Sequence, residues 1–77
     1  MEVLAKRIRQ LRRERKLRQY QWAMVLSDTC GEYVSPSIES AWERGVCEPS
    51  MRKLCAIAQY FNVSTDYLLG LTERRQS

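Results

Sequence analysis

The chain predicts an all-α fold of five short helices, and three observations lead there. Apolar residues recur at spacings of three and four in one segment after another, which is the period of an amphipathic helix. The later segments open on a serine and close on a glycine or an asparagine, the chemistry of helix caps. No stretch alternates apolar and polar residues as a half-buried strand would.

The first helix is predicted over 2–15, where Leu4, Ile8 and Leu11 share a face with Ala5 beside them and arginines fill the other faces. A second fits 19–29: Trp22, Ala23 and Leu26 fall at i, i+1 and i+4, flanked by Tyr20 or Val25. Gly31 is its stop signal, because glycine adopts the left-handed backbone that ends helices. Glu32 and Tyr33 are then linker.

Ser35-Pro36 starts the third helix. The serine oxygen caps free amides, and proline at the first helical position forfeits only an N–H that would be unpaired anyway. This helix runs to about Arg44, with Gly45 as its end and Ile38, Ala41 and Trp42 on one face. Ser50 caps the fourth, which carries the stripe Met51, Leu54, Ile57, Ala58 and Phe61 and closes at Asn62. Ser64 caps a short fifth holding Tyr67, Leu68 and Leu69, with Gly70 after it. Residues 1–71 form one domain, since 77 residues leave room for no more, and 72–77 read as a disordered tail.

Composition excludes several functions. There is no histidine to act as the usual general base, and Ser35, Ser37 and Ser40 have no activating partner in sequence. No glycine-rich phosphate loop exists, so an enzyme is not expected, nor is a cofactor or small-molecule ligand. Cys30, Cys47 and Cys55 are an odd set with no C-x-x-C spacing, which reads as reduced thiols in a cytoplasmic protein rather than disulfides or a metal site. No apolar run reaches the length of a membrane span.

The net charge of +4 is uneven. Lys6, Arg7, Arg9, Arg12, Arg13, Arg15, Lys16 and Arg18 crowd residues 1–18 against Glu2 and Glu14, whereas the middle of the chain is acidic. A basic block invites a polyanion, although a solvated basic helix face explains it equally well on charge alone. Two helices on a short connection, the second polar at its start, are compatible with a helix-turn-helix and also with other small bundles.

Motifs narrow the choice. Trp42-Glu43-Arg44-Gly45, then Glu48-Pro49-Ser50, Leu54, Ile57-Ala58, Phe61 and Val63-Ser64-Thr65-Asp66-Tyr67-Leu68-Leu69-Gly70 resemble, in order and spacing, the signature of the Cro/repressor-type (Xre-like) helix-turn-helix regulators. Ile8-Arg9-x-Leu11-Arg12-x-x-Arg15 looks like that family's first helix. Gln19-x-x-Trp22-Ala23-x-x-Leu26 looks like its second, with Trp22 where leucine is commoner. The resemblance covers Leu4 to Leu71. It implies a lambda-repressor-like five-helix domain, here with an extended connection between helices 2 and 3. The function it implies is that of a transcriptional regulator, a repressor, of prokaryotic or phage type, binding double-stranded DNA as a homodimer with the helix near 36–44 in the major groove.

Carried over position by position, the resemblance implies that Gln19 meets a phosphate at the start of helix 2, with Arg18 beside it. Ser35, Pro36, Ser37 and Ser40 become contact candidates at the start and on the outward face of the recognition helix, and Arg44 lies near the DNA backbone. Arg9, Arg52 and Lys53 are further basic candidates. Arg12 and Glu43 are implied to tie helix 1 to the end of helix 3 as a structural ion pair. Tyr67, Leu68, Leu69 and Leu71 are candidates for the dimer surface, with core packing expected for at least two of them.

Three departures stand out. Residues 27–33 lie where the family has a tight turn, so either helix 2 is a turn longer or the connection is a loop. Glu39 sits where the family places an inward aliphatic, with Ile38 one place earlier. The expectation is a rotated helix, Ile38 and Trp42 packing inward and Glu39 turning outward, either as a surface carboxylate or towards a cytosine amino group. Val46 and Cys47 replace residues that are often basic. The long turn and the acidic middle lend some support to an alternative, a protein-interaction module on the same fold such as an antitoxin or the partner of another regulator.

Overall fold

The computed structural model describes residues Met1–Gln76. Five helices follow one another: α1 (Glu2–Glu14), α2 (Gln19–Cys30), α3 (Pro36–Glu43), α4 (Met51–Phe61) and α5 (Thr65–Leu68). No strand occurs among the described residues. α2 packs on α3 and α4, α1 on α3 and α5, and α4 on α5.

The caps act as the sequence predicts. Ser35, Ser50 and Ser64 each accept a backbone N–H three residues on, at 3.1, 3.3 and 3.0 Å, satisfying amides that have no partner inside the helix. Asn62 is left-handed at φ 58°, as is Gly31 at φ 75°. At Gly70 (φ 81°) a Cβ would lie 2.8 Å from Val3 Cγ1, so this position needs glycine for its backbone and for the close approach to α1.

Leu4, Ile8 and Leu11 of α1 meet Trp22, Ala23 and Leu26 of α2, Trp42 of α3, Ile57 and Phe61 of α4, and Leu68 in one core. Trp22 is its centre, with ring centroids 4.6 Å from Phe61 and 5.1 Å from Tyr60. An indole replaces the smaller leucine here by packing at a tilt against the α4 rings, a contact that adds to its burial. Met51, placed in the α4 stripe by its spacing, is instead exposed, because the first turn of α4 projects beyond the core.

The long connection resolves into both expected alternatives. α2 continues one turn past Leu26 to Cys30, and residues 31–35 then return as a loop. Ser27 pins that return: its hydroxyl donates to Ala23 O at 2.8 Å and accepts from Val34 N–H at 2.8 Å. Val34 is buried, so the loop is anchored immediately before α3.

Residues 72–76, expected to be disordered, carry no helix but lie against the body. Arg75 reaches Glu14 through two bonds of 2.8 and 2.6 Å, its carbonyl accepts from Ser64 N–H, and Gln76 donates to Asn62 O. Arg7 donates to the carbonyls of Tyr67 and Thr72. The last residue of the expected tail, Ser77, lies outside the described residues.

Candidate nucleic-acid interface

α3 is oriented by what it buries. Glu39, Trp42 and Glu43 point inward at i, i+3 and i+4. At 100° per residue, Ser37, Ala41 and Arg44 then lie opposite the buried face, with Ser40 and Ile38 on the flanks. Pro36, Ser37 and Arg44 are exposed, and Ser35 and Ser40 are half-buried, with Ser35 committed to its cap.

This phase corrects the expected rotation. Ile38 is 45% exposed and Glu39 is fully buried, the reverse of the outward Glu39 proposed from sequence. Hydrophobicity favoured Ile38 inside, but the bond network at Glu43 and the packing of Trp42 fix the helix angle, and Glu39 lies between them on the inner face. Glu39 is therefore removed from the candidate contacts. As a carboxylate it has no donor facing either oxygen among the described residues. Burial and the neighbouring Glu43 push its carboxyl up to about 9, against the opposing pull of Arg12, so at neutral pH it is a neutral acid able to donate to Glu43.

Arg12 Nε and Nη2 hold Glu43 Oε2 and Oε1 at 2.7 and 2.9 Å, and Arg12 Nη1 also donates to Leu17 O at 2.7 Å. The pair is buried and joins α1 to the end of α3. Burial opposes the Glu43 charge, but hydrogen bonds from Arg12 and Glu39 outweigh it and hold the carboxyl below the usual carboxylate range.

Gln19, half-buried at the first position of α2, extends Nε2 to within 3.4 Å of Glu43 Oε1. The start of α2 thus touches the end of α3 through one shared carboxylate. Gln21 accepts from Arg18 N–H at 2.8 Å, which caps α2, while the Arg18 side chain is exposed.

The remaining basic residues divide. Arg7 and Arg12 are engaged internally, whereas Arg15, itself exposed, lies over the rings of Tyr60 and Phe61 at 5.1 and 5.4 Å. Arg52 and Lys53 stand 3.7 and 3.8 Å from Glu32, which ties α4 to the loop before α3 and leaves them poorer contact candidates. Lys6, Arg9, Arg13 and Arg44 make no ion pair among the described residues. The sequence marks Lys6 and Arg13 only as members of the basic block, although their spacing with Arg9 already places all three on one stripe.

The sequence reading also passed over a second feature. Tyr20, Met24 and Tyr33 are exposed and, with Pro36, line an apolar groove between α2 and the loop entering α3. Tyr20 and Met24 at i and i+4 were the available signal. Of the dimer candidates, Tyr67 and Leu68 are buried in the core, Leu69 is half-buried and Leu71 is 74% exposed. Among the described residues no helix is long and apolar enough to cross a membrane, and no cluster of potential metal ligands occurs.

Comparison with known proteins agrees with this fold. A helix-turn-helix family model matches residues 8–68. The P22 c2 repressor protein, solved in complex with synthetic operator 9T in the presence of Tl+, superposes with a TM-score of 0.69 at 34% identity. The match covers 88% of this chain and 94% of that one. No curated protein matches.

Proposed function

The chain belongs to the helix-turn-helix family, and from that premise we propose that it is a DNA-binding transcriptional regulator, with no enzymatic activity, that inserts α3 into the major groove. The observation that carries this reading is the outer face of α3. Ser37, Ala41 and Arg44 stand opposite the buried Glu39, Trp42 and Glu43, beside the open start of α2, in a fold similar to a repressor solved on its operator. Gln19 and the free amides at the start of α2 suit a phosphate. Pro36, Ser37 and Ser40 face the bases, and Arg18 and Arg44 flank them towards the backbone.

The finer reading is a repressor that binds as a homodimer in the cytoplasm of a prokaryotic cell. Two half-sites about one helical turn apart match a protein two-fold axis. With Tyr67 and Leu68 in the core, the dimer surface falls to Leu69 and Leu71.

Selection of binding sites by the purified protein from a random duplex library tests the reading. A two-fold-symmetric motif is expected. A single unpaired motif would remove the symmetric dimer. No enrichment by protein that is folded by circular dichroism would favour a protein-interaction module, for which the Tyr20–Met24–Tyr33 groove is the available surface.

A further inference from the structure

We infer that the Lys6–Arg9–Arg13 face of α1, continued by Arg44 at the end of α3, is a phosphate track that grips the sugar-phosphate backbone of duplex DNA outside the groove entered by α3. The inference rests on the DNA-binding reading and adds to it a surface that lies off the helix-turn-helix.

The sorting of charges carries it. Among the cations of α1, Arg7 is held by the carbonyls of Tyr67 and Thr72 and lies 4.1 Å over the Tyr67 ring. Arg12 is consumed by Glu43, and Arg15, one residue past α1, lies over the aromatic edge of α4. Lys6, Arg9 and Arg13 remain, spaced by three and four, so they form one row along the helix. Lys6, Arg9 and Arg13 line one shallow surface groove, and Lys6 and Arg9 line a second with Arg44. The positive surface therefore runs unbroken from α1 to the end of α3.

The acids on these grooves are directed elsewhere. Glu43 gives both oxygens to Arg12, and Glu14 gives both to Arg75 from the far end of the chain. Of the acids lining these grooves among the described residues, Glu2, at the start of α1, is left to face the row. Like charges at these spacings destabilise a helix. A small domain that keeps such a row, and turns its nearby acids onto other arginines, is built for an external polyanion.

The length of the row points to a polymer. Residues 6 to 13 span about 10 Å of helix, which matches roughly three phosphates of one DNA strand at about 3.4 Å of axis each. A single small anion would reach two of the cations at most.

The test compares wild type with the triple variant Lys6→Gln, Arg9→Gln, Arg13→Gln on a duplex carrying the selected motif, at a series of salt concentrations and with flanks of decreasing length. The expected result is a log–log salt slope shallower by about 0.9 for each lost contact, weaker binding on every sequence, and an unchanged selected motif. Trimming the flanks should weaken wild type but not the variant. Arg13→Gln alone, at an exposed position, serves if the triple variant does not fold, with a slope shallower by about 0.9. Wild-type slopes in the variants, with no flank effect on wild type, would overturn the track while leaving DNA binding intact. Failure of wild type to bind any duplex at low salt would remove the function and the track together.

Discussion

Arg12 and Glu43 meet as a buried fork, Nε on one carboxylate oxygen and Nη2 on the other, with the third arginine nitrogen on Leu17 O. The same guanidinium therefore fixes the end of α3 and the turn that leads into α2. The angle of the recognition helix against its partner is set from behind, by a residue that need not touch DNA.

Breaking this fork leaves Glu43 buried without its cation, a loss of about 3–5 kcal/mol when burial is complete. For a domain of this size each kcal/mol moves Tm by about 4–8 °C. Arg12→Ala should thus lower Tm by more than ten degrees, on the order of the whole stability of a small domain, whereas the exposed Arg13→Ala should barely move it. Thermal melts of the two variants side by side check this, and equal effects would remove the structural role of the pair.

Glu39 gives stability a pH dependence of definite sign. Its folded carboxyl stands at about 9 against an ordinary 4.5, so between these values the folded chain keeps a proton that the unfolded chain has lost. Stability is then greatest below the ordinary value, falls as pH rises through the window, and levels off above about 9. Glu43, held below its usual range, acts in the opposite sense and only in acid, where its contribution is lost. Glu39→Gln cannot ionise and still offers a donor to Glu43. It should flatten the alkaline fall and exceed wild type by on the order of 1–3 kcal/mol at high pH. Urea midpoints across the window measure it, and a fall of wild-type size in Glu39→Gln would refute the assignment.

Trp22 fills the centre of the core against Tyr60 and Phe61, and its indole N–H has no acceptor among the described residues. Trp22→Ala should cost about 3–5 kcal/mol and leave the domain largely unfolded at ambient temperature. Trp22→Leu should retain the fold with a smaller loss, since it also removes the unpaired donor. Circular dichroism with chemical denaturation distinguishes the two, and a Trp22→Ala protein as stable as wild type would contradict the packing.

Gln19 and Ser37 should separate affinity from specificity. If Gln19 meets a phosphate as proposed, Gln19→Ala removes an uncharged contact, so binding should weaken by about 1 kcal/mol on all sequences with the salt slope unchanged. Ser37→Ala, on the outward face of α3, should alter the ranking of sites more than the mean affinity. Competition binding against the selected motif and its single-base variants reads both effects.

Much of the fold was legible in the chain because its signals are local. The serine caps, the stops at Gly31 and Asn62 and the apolar spacing of α1 and α2 each act within a few residues, and the structure places these helices within a residue of the expected bounds. The motif from Trp42 to Gly70 identified the family for the same reason, since its order and spacing survive in one dimension.

Whether Glu39 or Ile38 faced inward was decided only in three dimensions. Local hydrophobicity chose Ile38, but the helix angle follows from Trp42 packing and from the hold of Arg12 on Glu43, a residue 31 positions away in sequence. The fate of the basic block was equally non-local. Glu14 is taken by Arg75, and Arg7 by the turn after α5, from more than 50 residues along the chain. Composition counts every charge alike, but folding decides which charges are neutralised and which are left to face a partner.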